Sequence, residues 1–149
     1  MLHEYPDRLV ISLVEGVKLP DPVPVVVSDT ETLGPYYPVK VLAESRCIAV
    51  TFDQVLTYQV VDESYSAPQS EMPSAEFLGP VRECQDLSYR RYIEGDSLLA
   101  QLEERAYRSY YIWTEDQTFF VISAVAPSVE LLARQPDLSI ERHNSYAAE

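Results

Sequence analysis

Residues 108–125 read Arg-Ser-Tyr-Tyr-Ile-Trp-Thr-Glu-Asp-Gln-Thr-Phe-Phe-Val-Ile-Ser-Ala-Val and carry the strongest structural pattern in the chain. They include the only tryptophan, and a polar break at residues 115–117 interrupts the aromatic and β-branched run once. Such residues favour strands because their bulk packs well on a pleated, half-buried surface. The pattern therefore predicts a β-hairpin.

Both faces of this hairpin are apolar. Strand alternation places Tyr111 and Trp113 on one face and Tyr110 and Ile112 on the other. The second strand, residues 118–125, has large apolar side chains on both faces as well. We therefore expect the hairpin to be central in the fold, covered by a helix on one side, or buried against a second chain.

Length and composition indicate a single domain spanning residues 1–149. A chain of 149 residues with 46% hydrophobic residues can bury a sizeable core without disulfides or metal. Eleven prolines against four glycines predict several connecting segments and no long helix, since proline fixes φ and lacks a backbone N–H.

The charge balance is strongly acidic. Eleven Lys and Arg against 24 Asp and Glu leave a net charge of −13, which repels phosphate backbones, so we exclude nucleic-acid binding. The same charge either speeds encounter with a basic partner or only maintains solubility.

Motifs for catalysis, metals and cofactors are missing from the sequence. Cys47 and Cys84 have no CxxC spacing, and the two histidines, His3 and His143, lie near the ends. No P-loop, HExxH, GxSxG or GxGxxG is present. We predict no catalytic, metal-binding or cofactor-binding residues, and a non-enzymatic protein is favoured.

No segment of the sequence indicates export or membrane insertion. The first residues lack a positive region followed by an apolar one, and no apolar run approaches the ~18 residues of a membrane span. A cytoplasmic protein without membrane contact is expected.

Several further elements follow from the pattern. Residues 23–27 suit a sheet edge or an extended connection, and residues 47–52 and 55–61 suit one bent strand or a tight hairpin. In the latter run the alternating residues Leu56, Tyr58 and Val60 are the better core candidates. Residues 129–134 fit a short helix or an edge strand.

One main helix is predicted at about residues 96–106. Asp96 or Ser97 can cap its first turn, and a face of apolar residues follows at helical spacing: Leu98, Leu99, Leu102 and Ala106. Residues 81–93, which contain Tyr89-Arg-Arg-Tyr92, are interpreted as a strand. The acidic, Ser- and Pro-rich residues 62–80 read as a long surface loop, and residues 139–149 as a tail.

The pattern as a whole predicts an α+β fold. A mostly antiparallel, curved sheet of about six or seven strands would pack against the helix at 96–106. The interaction or pocket candidates are aromatic residues and two adjacent arginines: Tyr111, Trp113, Tyr110, Phe119, Tyr58, Tyr89, Arg90, Arg91 and Tyr92.

Two functional hypotheses from different classes remain. The favoured one is an acidic binding protein that acts on a protein partner, for example as an inhibitor of a basic protein, and forms a homodimer. The alternative is a small-molecule binder or enzyme with a tyrosine-lined pocket, in which Arg90 or Arg91 holds an anionic group. Surface ion pairing is the ordinary role of such arginines.

Overall fold

The computed structural model describes residues 8–62, 65, 76–85 and 88–134. Within them the strands are β1 (Leu9–Val14), β2 (Val17–Lys18), β3 (Val23–Ser28), β4 (Glu31–Tyr36), β5 (Val39–Lys40), β6 (Cys47–Phe52), β7 (Val55–Asp62), β8 (Glu76–Leu78), β9 (Val81–Glu83), β10 (Arg108–Trp113), β11 (Gln117–Ser123) and β12 (Ser128–Leu132). The helices are α1 (Ser88–Asp96) and α2 (Leu99–Leu102).

The strands of the described residues form four sheets. Their orders are β7-β11-β10-β9-β8, β1-β6-β12, β2-β5 and β3-β4. The predicted α+β class with mostly antiparallel pairing is confirmed. The expected single sheet of six or seven strands is not found, because the strands divide among several smaller sheets.

The chain divides into two compact units. The first contains Met1–Ile11 and Val50–Val129, and the second contains Ser12–Ala49 and Glu130–Glu149. The five-stranded sheet and both helices belong to the first unit, whereas the β2-β5 and β3-β4 pairs belong to the second.

The predicted hairpin is confirmed as the antiparallel pair β10-β11 at the centre of the five-stranded sheet. Arg108 pairs with Ser123 and Trp113 with Thr118, which sets the register. β9 lies on the other side of β10, and β7 lies on the other side of β11. Both hairpin strands are therefore interior strands.

Both faces of the hairpin are covered, as expected from its apolar pattern. On one face Tyr111, Phe120 and Ile122 are buried in a core cluster to which Tyr89 and Ile93 of α1 contribute. On the other face Tyr110 is fully buried, and Phe52 packs against it. The desolvation of both faces stabilises the hairpin, since burying each large side chain contributes about 1.5–3 kcal/mol.

The predicted strand at residues 81–93 is correct only for its first residues, which form β9, and it is wrong for residues 89–92, because these lie in α1. Tyr89 and Ile93, four positions apart, point into the core, and Arg90 forms an ion pair with Glu94 one turn on. These helical spacings override the strand-like alternation of Tyr and Arg, because packing decides between weak local preferences.

The predicted helix at 96–106 is correct only in part. Asp96 ends α1, and within residues 97–106 only the four residues of α2 are helical. Glu103 is extended and ends α2. Of the predicted apolar face, Leu99 packs against the core, whereas Leu98 and Leu102 are exposed.

β6 and β7 neither form a hairpin together nor continue as one strand. They belong to different sheets, and residues 53–54 connect them. The backbone carbonyl of Gln54 accepts hydrogen bonds from Ser123 Oγ at 2.8 Å and from the Ala124 N–H at 3.0 Å, which hold this connection against the end of β11.

The predicted core set on β7 is only partly correct. Leu56 packs against the core, but Tyr58 and Val60 are exposed. The cause is an irregularity opposite Ile122 and Ser123, where β7 has one residue more than β11 and the alternation changes face.

The remaining segments are only partly described. Residues 129–134, predicted as a short helix or an edge strand, contribute to β12. Residues 76–78 of the predicted loop at 62–80 form β8, whereas residues 63–64 and 66–75 and the predicted tail at 139–149 lie outside the described residues. No helix in the described ranges is long and apolar enough to span a membrane.

Candidate interaction surface

The turn between β10 and β11 is held by side-chain and backbone hydrogen bonds. Thr114 Oγ1 donates to the Gln117 carbonyl at 2.8 Å and accepts from the Gln117 N–H at 3.0 Å. The Thr114 N–H also donates to the Gln117 carbonyl at 2.9 Å. This closure presents Glu115 and Asp116 as exposed residues at the end of the sheet.

An exposed tryptophan stands directly before this turn. Trp113 is the last residue of β10 and is 61% exposed, although the four residues before it are buried. Asp62, the last residue of β7, is the register partner of Gln117 and therefore ends beside the same turn. We call Trp113, Glu115 and Asp116 the Trp113 corner.

Much of the positive charge of the described residues is paired with carboxylates. Five arginines form ion pairs of 3.3 Å or less: Arg8 with Asp53, Arg46 with Glu15, Arg90 with Glu94, Arg105 with Glu103, and Arg108 with Glu83. Because these arginines are neutralised locally, the net charge of −13 must come from carboxylates elsewhere in the chain.

The predicted arginine pair at residues 90–91 lies on α1. Arg90 Nε is 2.8 Å from Glu94 Oε1, and its guanidinium lies 5.0 Å from the centre of the Tyr107 ring. Tyr107 donates its hydroxyl proton to the same Glu94 oxygen at 2.9 Å. Arg91 donates to Ser88 Oγ at 3.1 Å. Arg90 is thus engaged by a carboxylate of its own helix.

The titration of Glu94 and Tyr107 reflects these contacts. The hydrogen bond from Arg90 lowers the pKa of Glu94, and the hydrogen bond from Tyr107 adds to this effect. Burial raises the pKa of Tyr107, and the neighbouring Glu94 carboxylate raises it further. At neutral pH the three side chains form a charge-assisted network.

Tyr89 and Tyr111 meet in the core under α1. Their rings lie 5.7 and 5.5 Å from the ring of Phe120, and the Tyr89 hydroxyl is 2.9 Å from Thr57 Oγ1. Burial raises the pKa of both tyrosines. Their arrangement is that of packed aromatic residues, with the Tyr89 hydroxyl satisfied inside the protein.

Tyr58, Tyr110 and Phe119 lie on the face of the sheet opposite α1. Tyr58 and Tyr110 are both register partners of Val121, one from each side. Tyr110 is fully buried, Phe119 is half-buried, and Tyr58 is 54% exposed. Of these three side chains, the exposed one therefore lies on β7, which is one of the two edge strands of the sheet.

The nine predicted candidates divide into four separate groups. The groups are the core pair Tyr89 and Tyr111, the opposite-face set Tyr58, Tyr110 and Phe119, the α1 set Arg90, Arg91 and Tyr92, and Trp113 at the end of β10. Of the nine residues, three are aromatic residues with exposed side chains, namely Tyr58, Tyr92 and Trp113.

Sequence reasoning missed two features of the surface. The position of Asp62 beside the hairpin turn depends on the β7-β11 register, which no local pattern reveals. The exposure of Val60 follows from the irregularity in β7 and from its place at the sheet edge. The lack of charge in residues 55–61 was a visible signal for an unusual edge strand.

The described residues contain no group of three or more His, Cys, Asp or Glu side chains suited to hold a metal ion. Cys47 and Cys84 are free and buried. Comparison of the chain with protein-family models, curated proteins and solved structures gave no significant match.

Proposed function

We propose that this protein is a non-enzymatic interaction module that binds a basic protein partner through the Trp113 corner. The observation that carries the proposal is an exposed tryptophan at the end of a buried strand, directly before a turn that carries the exposed residues Glu115 and Asp116, in an acidic chain. An inhibitor that masks a basic surface is the form of function that fits this chemistry.

Each part of the corner has a physical role in this proposal. An arginine or lysine of the partner can rest on the Trp113 ring through a cation–π interaction of about 0.5–2 kcal/mol. Carboxylates of the corner can accept charge-assisted hydrogen bonds from the same groups. The net negative charge speeds the encounter of oppositely charged proteins.

The hydrogen-bonded base of the corner supports this role. Trp113 ends an interior strand, and hydrogen bonds between Thr114 and Gln117 close the turn that follows it. A preorganised anchor loses little conformational entropy on binding, and tryptophan is enriched among the residues that dominate interface energies. The engagement of Arg90 by Glu94 favours this proposal over a pocket in which Arg90 holds an anionic ligand.

The test uses a nona-arginine peptide and the fluorescence of the single tryptophan. Binding should change Trp113 emission and weaken with added salt. Two variants should each reduce the affinity for the peptide by about tenfold, equivalent to about 1.4 kcal/mol: Trp113→Ala and the double variant Glu115→Gln/Asp116→Asn. Because Trp113→Ala removes the fluorophore, its binding is measured with a labelled peptide.

Matched controls separate a defined site from general charge attraction. Tyr92→Ala removes another aromatic side chain that is 61% exposed, and Asp21→Asn/Glu44→Gln removes the same charge at exposed positions elsewhere. Affinity of these variants should stay within about twofold of the original. Equal losses in corner and control variants would contradict a binding site at Trp113.

A further inference from the structure

We infer that the outer edge of β7 pairs antiparallel with β7 of a second copy of this chain. This inference gives a structural form to the homodimer expected from the sequence, and it is independent of the Trp113 corner as a site for a basic partner. In the described part of the chain, β7 is the last strand of the five-stranded sheet, and β11 is its only strand neighbour. An edge strand of eight residues presents backbone donors and acceptors for a further strand.

β7 lacks the residues that usually protect an edge strand from pairing with another chain. Residues 55–61 contain no charge, proline or glycine. Edge strands are usually protected by lysine, proline or short length. β3 contains Pro24, β2 and β5 contain Lys18 and Lys40, and β8 has only three residues. β7 has none of these features, and with eight residues it is longer than β1, the six-residue edge strand that also lacks them.

Apolar side chains flank the open edge. Tyr58 and Val60 are 54% and 41% exposed on the face opposite α1, whereas Val61 packs against the core. A second β7 placed at this edge would cover Tyr58 and Val60 and extend the sheet continuously. The side chains and the backbone therefore indicate the same kind of partner, an apolar antiparallel strand.

The regular part of β7 is self-complementary. The regular register of β7 runs from Thr57 to Asp62, and Gln59 is the centre of its uncharged part, Thr57 to Val61. Antiparallel pairing about Gln59 places Tyr58 opposite Val60 of the second copy and Thr57 opposite Val61 of the second copy. Gln59 then faces Gln59 of the second copy, where the two amides can hydrogen-bond. In a dimer with a two-fold axis the same surface of both copies meets, so that surface must be complementary to itself.

Charge does not oppose a second copy at this particular edge. Two chains of net charge −13 repel each other overall, so the pairing must keep carboxylates from lying directly opposite each other. The Gln59-centred register satisfies this condition because it keeps the two Asp62 side chains at opposite ends of the pairing. Since salt screens the overall repulsion, association should strengthen with salt, whereas binding of a basic partner should weaken.

Sedimentation of two matched valine variants tests the edge. We expect the unmodified chain to form a concentration-dependent dimer with twice the monomer mass of 16.9 kDa. Val60→Lys should abolish this dimer, because a lysine would be buried in it and would lie diagonal to its symmetry mate. Val26→Lys, at a valine of β3 that is 71% exposed, makes the same charge change outside β7 and should leave the dimer intact.

The outcomes separate the possibilities. A monomer at all concentrations and salt levels, or a dimer broken by Val26→Lys and not by Val60→Lys, would overturn the inference. Circular dichroism should show unchanged folding of both variants. Val60→Lys should still bind nona-arginine, so that failure of dimerisation and failure of the Trp113 corner are distinguished.

Cysteine cross-linking tests the register. Gln59→Cys should form an intermolecular disulfide under mild oxidation, since directly opposed residues bring their Cβ atoms to about 4.5–5.5 Å. Gln101→Cys, at an exposed glutamine of α2, is the matched control and should remain monomeric on non-reducing gels. Equal cross-linking of the two variants would contradict pairing at β7.

Discussion

Two buried serines of the central hairpin differ in their hydrogen bonding. Ser123 Oγ lies 2.8 Å from the Gln54 carbonyl and 2.9 Å from the Val125 carbonyl. Ser109 Oγ is buried without a hydrogen-bond partner in the described part of the chain. A buried polar group without a partner costs stability, whereas a paired one contributes to it.

Replacement of each serine by alanine should therefore have opposite effects. Ser109→Ala should leave the free energy of unfolding unchanged or raise it by up to about 1 kcal/mol, because only an unsatisfied hydroxyl is removed. Ser123→Ala should lower it by about 1–2 kcal/mol, because the Gln54 carbonyl loses a donor. Urea unfolding measures both. A larger loss for Ser109→Ala than for Ser123→Ala would contradict the assigned contacts.

At the scale of single elements, the β3-β4 hairpin of the second unit is the most exposed. All residues of both strands are exposed, and an isolated pair of strands is only marginally stable. Gly34 in β4 has a φ of 102°, and a Cβ at this position would lie 2.8 Å from the Tyr36 backbone nitrogen. The hairpin therefore depends on a residue without a side chain.

Two glycine-to-alanine variants test this dependence. Gly34→Ala should disrupt β3-β4 pairing and speed hydrogen exchange of Val25 and Leu33, because alanine resists positive φ by about 1–2 kcal/mol. Gly95→Ala in α1 meets no atom within 4 Å and should raise stability by about 0.5–1 kcal/mol through helix propensity. Unchanged exchange in β3-β4 for Gly34→Ala would contradict the assigned backbone.

For the whole molecule, the free energy of unfolding should depend on pH in the acid range, because arginines lower the pKa of several carboxyl groups. Hydrogen bonds from Arg105 lower the pKa of Glu103 from 4.5 to about 2. Arginine hydrogen bonds also lower the pKa of Glu15 and of Glu94. A lowered pKa contributes stability that is present above the unfolded value of 4.5 and is lost as pH falls through the folded value.

The triple variant Glu15→Gln/Glu94→Gln/Glu103→Gln should show this contribution. We expect a lower urea midpoint at pH 7 and a shallower decline of stability between pH 4.5 and about 2, because these carboxylates no longer take up protons on unfolding. The triple variant Glu31→Gln/Glu44→Gln/Glu104→Gln removes equal charge at exposed positions and should keep the original acid slope. Identical slopes in both variants would contradict the assignment.

Local sequence patterns predict some of the helices and strands of this chain and fail for others. The β10-β11 hairpin and β7 were predictable, because alternation of apolar residues over several positions is a local signal. Residues 89–92 show a strand-like alternation of Tyr and Arg over only four positions. The segment is helical because Tyr89 and Ile93 pack into the core from one helix face. Short segments of this kind depend on tertiary contacts for their conformation.

The sequence by itself determined the central hairpin, the antiparallel α+β class and the net charge of −13, because strand periodicity is local and charge is a sum over residues. Only the tertiary structure decided that Tyr110 and Tyr111 are buried while Tyr58 and Trp113 are exposed, and that Asp62 ends beside the hairpin turn. These properties depend on strand register and on what covers each face, and both arise from contacts between residues distant in the chain.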